Sequence, residues 1–282
     1  MSKFIRIFIV LIVLGGSVSS AQARVSHPRR APVAKIAGVS APAALLWNVT
    51  QDKVLFAKNA TRKVYAASTT KVMTVLLALE KLSLDQYVTV SARATQVPPT
   101  KLDFQPGEQY LVRDLILACL LKSANDAAIV LAEAVAGSQE KFVEMMNQKA
   151  QDLGAKDTLF ANPNGLPIPT KQFTTARDMA IIFKEALKND FFQKAITFRY
   201  GTISSKGGGR RHFLRSHNKA LFLHWKQDVD GKTGFTLKAK SCFVGYIKKG
   251  NDLLIVDVFG CKTNRRWDDI KWMLEHYAGV NL

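Results

Sequence analysis

Tyr65-Ala66-Ala67-Ser68-Thr69-Thr70-Lys71-Val72-Met73-Thr74-Val75-Leu76-Leu77-Ala78-Leu79-Glu80 opens on small hydroxylated residues and continues as an apolar run with helical spacing. A helix beginning near Ser68 places Lys71 one turn on and on the same face, so that a hydroxyl and an amine can meet. The helix start adds a partial positive charge that favours anions near Ser68. Burial beside other cations would lower the Lys71 pKa towards that of a usable base, and a lysine so prepared can accept the proton of a serine. Spacing alone does not select this pair. Ser138/Lys141 and Ser216/Lys219 repeat the Ser-x-x-Lys interval, and most such pairs are solvated helix faces.

Two further stretches carry chemistry. Lys122-Ser123-Ala124-Asn125-Asp126 precedes a predicted helix, where a loop presents side chains instead of burying them. Ser123 can there relay a proton and Asn125 can offer an amide, although serine and asparagine are also ordinary helix caps. Asp230-Gly231-Lys232-Thr233-Gly234-Phe235 places a cation and a hydroxyl at the start of a strand, with a glycine that allows close backbone approach.

Around these stretches the chain divides by periodicity. Ala43 to Asn48 and Val54 to Ala57 flank a polar turn and predict a hairpin, followed by the helix near Ser68, which ends before Asp85. Tyr87 to Tyr110 reads as a loop-rich excursion. Val112 to Lys122, Asp126 to Ala136, Gln139 to Leu153 and Thr175 to Leu187 show helical spacing, with Gly137 and Gly154 as stops. After Gly207-Gly208-Gly209 come strands at Lys232 to Thr236, Ser241 to Ile247 and Leu253 to Phe259, then a last helix from about Arg266 to Tyr277. The expected fold is α/β (α+β): an antiparallel sheet built from N- and C-terminal strands, with a mainly helical subdomain inserted at about residues 85–200 and a site in the cleft between them.

The 282 residues, 48% of them apolar, suffice for a sizeable core. Lys3 and Arg6, the apolar run Ile7 to Leu14 and Ala21-Gln22-Ala23 read as a secretory signal peptide over residues 1–23 with a mature start at Arg24. Residues 24–38 read as a basic disordered linker and 39–282 as the folded domain. Export makes nucleic acid an improbable partner for a chain of net charge +18 and points to an anionic envelope surface instead. The expected location is the periplasm or another extracytoplasmic part of the envelope. Three cysteines cannot all pair within one chain; Cys119 reads as a buried thiol, and nothing decides a Cys242 to Cys261 bridge. His27, His212, His217, His224 and His276 lack paired-ligand spacing, so neither a metal nor a cofactor is expected.

In chain order, Ser68/Lys71, Ser123/Asn125 and Lys232/Thr233/Gly234 match the Ser-x-x-Lys, Ser-x-Asn and Lys-Thr-Gly set of penicillin-binding proteins and serine β-lactamases. With Asn162-Pro163-Asn164-Gly165-Leu166, Thr175-Ala176-Arg177-Asp178-Met179-Ala180 and His217-Asn218-Lys219, the sequence from about Val39 to Tyr277 resembles the low-molecular-mass D-alanyl-D-alanine carboxypeptidases. The resemblance implies that Ser68 attacks the D-Ala-D-Ala carbonyl of peptidoglycan stem peptides while Lys71 takes its proton, and that β-lactam antibiotics acylate the same serine. Ser123 and Lys232 would pass a proton to the leaving amine, and Asn125 would hold the peptide amide. The amides of Ser68 and Phe235 would form the oxyanion hole, and Lys232, Thr233 and Arg265 would hold the terminal carboxylate.

Many such carboxypeptidases carry a further β-rich domain and a membrane anchor. This sequence ends at Leu282 with neither, which keeps DD-endopeptidases as the rival expectation. A class A β-lactamase needs a glutamate that Asp157 to Thr170 lacks. A non-catalytic envelope-binding module is the remaining alternative.

Overall fold

The first hairpin forms where alternation placed it. In a computed structural model, which describes residues 38–167, 171–262 and 265–282, β1 (Ala43–Asn48) turns back into β2 (Lys53–Lys58). The residues read as a signal peptide and nearly all of those read as a basic linker lie outside the described residues. A 3₁₀ turn, Ala67–Thr70, carries Ser68 and runs directly into α1 (Lys71–Lys81). Ser68 therefore sits on a tighter turn ahead of the helix and not on its first α turn.

The stretch read as loop-rich holds β3 (Tyr87–Thr89), α2 (Ala92–Thr95) and β4 (Gln109–Leu111), with β3 and β4 paired as a two-stranded sheet. Next come α3 (Val112–Leu117), a π turn at Ala118–Lys122, α4 (Asn125–Ala136), α5 (Gln139–Asp152) and α6 (Ala176–Ala186). Gly137 ends α4 in the left-handed conformation, as its sequence position implied. A short helix α7 (Asp190–Ile196) and a second hairpin, β5 (Tyr200–Ser204) with β6 (Arg211–Arg215), were not anticipated. The chain closes with β7 (Asp230–Thr236), β8 (Lys240–Lys249), β9 (Asp252–Cys261) and α8 (Arg266–Ala278).

The main sheet runs in the order β2-β1-β9-β8-β7, antiparallel throughout, so the first hairpin and the last three strands make one sheet. Period-two alternation sends Leu45, Val244, Ile255 and Phe259 to one face, where they pack with α1, α3, α4 and α6. Leu46, Phe243, Leu254, Val256 and Val258 go to the other face and meet Ile270, Met273 and Leu274 of α8. Both faces are therefore covered, and β7 remains an edge strand whose free side meets the Ser68 turn. Among the described residues, no helix is long and apolar enough to cross a membrane. The three cysteines are buried free thiols.

Asp257 breaks the pattern. It lies on β9 between Ile255 and Phe259, opposite Leu45 and Val244, fully buried and with neither carboxyl oxygen hydrogen-bonded among the described residues. Burial pushes its pKa well above the ordinary carboxylate range. The folded state thus keeps a proton that the unfolded chain loses above about pH 4, and stability falls as pH rises from there. Asp257→Val should raise stability by about 1–3 kcal/mol and flatten this pH dependence. Urea unfolding of both proteins at pH 5 and pH 8 measures it, and an equal or lower stability of the variant would refute the account.

Candidate active site

The junction between the 3₁₀ turn and α1 turns the Ser-x-x-Lys interval into a contact. Lys71 Nζ donates to Ser68 Oγ at 3.1 Å, to Asn125 Oδ1 at 2.7 Å and to the Asn164 carbonyl at 2.8 Å. The ammonium has three donors, and all are used. Lys71 is fully buried, and that desolvation lowers its pKa to about 8 despite the opposing pull of Cys119 and Asp126. About one Lys71 in ten is then neutral at pH 7, against about one in three thousand for an ordinary lysine.

The Ser-x-Asn stretch enters from the opposite wall. The π turn winds the end of α3 so that Ser123 takes a left-handed backbone, φ 61°, a conformation uncommon for a non-glycine residue and frequent where function needs it. Its hydroxyl accepts from Lys232 Nζ at 2.9 Å, and Lys232 also donates to the Thr233 carbonyl at 2.9 Å. Lys232 is fully buried; burial first, and then the charge of Lys71, depress its pKa. Asn125 opens α4, giving Oδ1 to Lys71 and Nδ2 to the Pro98 carbonyl at 2.9 Å. Its amide oxygen holds the Lys71 ammonium, a contact the sequence reading did not assign. The buried Asp126 carboxylate ties down the neighbouring loop through the Leu102 amide and also accepts from the Ala127 amide within α4.

The third stretch closes on the first. A Cβ built on Gly234 would stand 3.0 Å from the Ala66 carbonyl and 3.1 Å from the Ser68 amide nitrogen, so a side chain there would press the Ser68 turn away from β7. Asn162-Pro163-Asn164-Gly165 packs from the far side. Pro163 O accepts from Thr74 Oγ1 at 2.6 Å, and at Gly165 (φ +78°) a Cβ would overlap the Ala67 carbonyl. The loop that would have to carry a class A glutamate thus reaches Lys71 with a backbone carbonyl.

The decoy pairs have local explanations. Ser138 caps α5 by accepting from Lys141 N at 3.2 Å, and Ser216 Oγ accepts from Asn218 N at 3.2 Å.

Ser68, Lys71, Ser123, Asn125, Lys232 and Thr233 therefore converge, with Gly234 and Phe235 on the edge strand beside them. Arg265 makes no hydrogen bond to that strand among the described residues, and its guanidinium lies 4.0 Å from Asp268. The arginine at β7 is Arg266, which donates to the Gly234 carbonyl at 3.3 Å and the Cys242 carbonyl at 2.8 Å and lies 4.5 Å over the Trp267 ring. Two adjacent arginines at a helix start differ by about 100° in direction, which the sequence leaves undetermined.

Residues 29–263 match the family described as D-alanyl-D-alanine carboxypeptidase, peptidase family S11. The chain belongs to this family. It is 36% identical over 229 residues to D-alanyl-D-alanine carboxypeptidase DacF of Bacillus subtilis, covering 79% of this chain but only 58% of that protein. It is 29% identical to a D-alanyl-D-alanine endopeptidase of Pseudomonas aeruginosa, covering 92% of this chain and 86% of that one. The fold matches the crystal structure of a D-alanyl-D-alanine carboxypeptidase from Mycobacterium tuberculosis with a TM-score of 0.79 at 28% identity, over 86% of this chain and 92% of that chain. The antiparallel sheet with its helical insertion is thus a fold shared with that carboxypeptidase.

A base whose pKa is lowered to about 8 gains its reactive neutral form as pH rises, so acylation by a β-lactam should accelerate from pH 6 to a plateau above about pH 8. Lys71→Arg keeps the charge but not the titration. Its acylation rate should fall by about 10³-fold or more in a protein with unchanged circular dichroism. A pH-independent rate in wild type, or near-normal acylation by the variant, would exclude Lys71 as the base.

Proposed function

We propose that this protein is an exported serine peptidase that removes the terminal D-alanine from peptidoglycan stem peptides through an acyl-serine intermediate and is acylated by penicillins. The observation that carries this reading is the 3.1 Å contact of a fully buried Lys71 Nζ with Ser68 Oγ, faced by the 2.9 Å Lys232–Ser123 pair. Ser68 Oγ bonds to the penultimate D-alanyl carbonyl carbon as Lys71 takes its proton. The oxyanion forms against the Ser68 and Phe235 amides. The carbon–nitrogen bond breaks as the leaving amine receives a proton relayed through Ser123, whose hydroxyl Lys232 holds. Water then hydrolyses the ester with Lys71 again as base, restoring Ser68.

The leaving carboxylate belongs beside Lys232 and Thr233, with the Arg266 guanidinium behind the strand adding positive potential. The domain reading goes with this function: a signal peptide over residues 1–23, a basic linker over 24–38, and a peptidase domain over 39–282 whose helical insertion spans about 85–200. The net charge of +18 supports peripheral contact with anionic envelope material. A second reading, cleavage of D-alanyl cross-links, is favoured by the likeness to the Pseudomonas aeruginosa endopeptidase over 86% of its length.

Wild type treated with penicillin should gain one adduct, mapped to Ser68 by mass spectrometry, and should release D-alanine from a pentapeptide. Ser68→Ala should do neither. Labelling that persists in Ser68→Ala, or a wild type that takes the label yet releases no D-alanine from any stem peptide, would overturn the proposal.

A further inference from the structure

From Phe191 to Gln227 the sequence holds no aspartate or glutamate, although the whole chain carries 22 acids. The fold gathers most of this run into the second hairpin and the turn that follows it. β5 and β6 pair in the register Tyr200↔Arg215 and Thr202↔Phe213, and alternation divides their residues between two faces. Ile203 and Leu214 are buried on the inner face, while Tyr200, Thr202, Arg211, Phe213 and Arg215 are exposed on the outer one.

That outer face is apolar where water should favour polar groups. Phe213 is 66% exposed and Tyr200 50%, and their rings stack at 5.7 Å. Phe222 meets Tyr200 edge-on at 5.7 Å, and the Arg215 guanidinium lies 4.8 Å over the Phe222 ring. Phe198, just before β5, and Leu223, just after the Lys219–Phe222 turn, are further exposed apolar side chains. Arg211, Arg215 and Lys219 make no salt bridge among the described residues, in contrast to Arg199 and Arg210, which Asp228 and Glu108 neutralise.

Single exposed apolar residues are ordinary, but a stacked group of them ringed by unneutralised cations marks an interaction surface. The combination selects the partner. A second copy of the chain would present like charge. An acidic polymer would satisfy the cations and leave Phe213 in water. A bilayer with anionic headgroups meets both needs at once: phosphates face the arginines, and aromatic rings settle at the boundary between headgroups and acyl chains. The other exposed aromatic cluster, Phe56, Trp272 and Tyr277 between β2 and α8, lacks this field, because Asp268 and Glu275 stand on the same helix and Glu275 pairs with Lys271.

We propose that the outer face of the β5–β6 hairpin, extended by the Lys219–Phe222 turn, docks this protein on the surface of an anionic phospholipid bilayer. The inference rests on the export reading and gives the envelope contact a face and a ligand. Tyr200 and Phe213 enter the interface, and Arg211, Arg215 and Lys219 hold headgroup phosphates. β6 runs into the Ser216–Lys219 turn, whose His217 amide donates to the Leu121 carbonyl at 2.9 Å, two residues before Ser123. Docking therefore holds one wall of the catalytic cleft beside the bilayer and confines the enzyme to stem peptides near the membrane.

Cosedimentation of the exported protein with vesicles tests it, using phosphatidylcholine alone and phosphatidylcholine with about one-third phosphatidylglycerol. Wild type should bind the anionic vesicles about tenfold or more tightly than the neutral ones, and R211Q/R215Q should lose about tenfold of that affinity or more, at roughly fivefold per cation. F213S, which removes an exposed ring and no charge, should lose about fivefold. Penicillin acylation should stay within about twofold in both variants, which shows that they are folded. Because the three native cysteines are buried, an environment-sensitive dye can be attached at F213C or, on the opposite edge of the main sheet, at V54C. Its emission should shift to the blue on anionic vesicles at position 213 and not at position 54. No preference for anionic vesicles, variants that bind like wild type, or a dye response at position 54 in place of 213 overturns the docking face. So does hairpin-dependent binding to peptidoglycan sacculi without binding to vesicles, which would assign the face to the wall polymer. Each of these outcomes leaves penicillin labelling and D-alanine release standing, whereas a chain that stays in the cytoplasm overturns the export reading and the docking face with it.

Discussion

Two ammonium groups held out of water within one cleft are the constraint from which the rest of the structure follows. Lys71 and Lys232 are both fully buried; burial lowers the pKa of each, and the charge of Lys71 lowers that of Lys232 further. Burying an unpaired charge is costly, and among the described residues neither lysine has a salt-bridge partner. Hydroxyls, an amide oxygen and main-chain carbonyls take that place. Those acceptors solvate an ammonium without fixing it in the charged state as a carboxylate would, which keeps proton transfer within reach at neutral pH. A salt bridge to Lys71 would have made a more ordinary protein and a poorer base.

That requirement explains the irregular backbone. Five acceptors must converge on two points from the Ser68 turn, the π turn, the start of α4, the Asn162–Gly165 loop and β7. Regular elements cannot bring them so close. The 3₁₀ turn sets Ser68 ahead of α1, the π turn puts Ser123 in a left-handed conformation, and Gly165 and Gly234 remove the side chains that would hold the layers apart. Helices and sheet around them are conventional, and their cores on both faces of the sheet supply the rigidity that holds a strained centre.

Legibility in the sequence follows the same division. Strands with two buried faces and long amphipathic helices announce themselves by period, so β1, β2, β7, β8, β9, α1, α4, α5, α6 and α8 could be placed within a few residues. The pairs β3–β4 and β5–β6 could not, because they are short and half exposed, and their apolar residues do not alternate cleanly. In the site, residue types and intervals singled out Ser68, Lys71, Ser123 and Lys232. They did not reveal that the Asn125 amide is engaged by Lys71, that the Asn164 carbonyl is a ligand of the same ammonium, or that Arg266 and not Arg265 faces β7. Main-chain acceptors leave no mark in residue identity. The direction of one of two consecutive arginines depends on the φ/ψ of a helix start. Asp257 was equally invisible, since an acid in a strand reads as a solvent-facing position until the second layer is known to cover it.

The sheet edge connects stability with specificity. β7 is bonded to β8 on one side only, and an unpaired edge would ordinarily invite other strands. Here the Ser68 turn lies against the edge at Gly234, while the turn at Ser216–Lys219 is stitched to its beginning through Asn218 and Val229. Between these contacts lies a short stretch from Lys232 to Phe235, buried as far as Gly234 and exposed at Phe235, with the Ser68 turn against it. Under the proposed chemistry an extended peptide that pairs with this stretch has its register set by the close approach at Gly234. In the same chemistry the acyl half stays as an ester on Ser68, and the leaving half departs past Lys232 and Thr233.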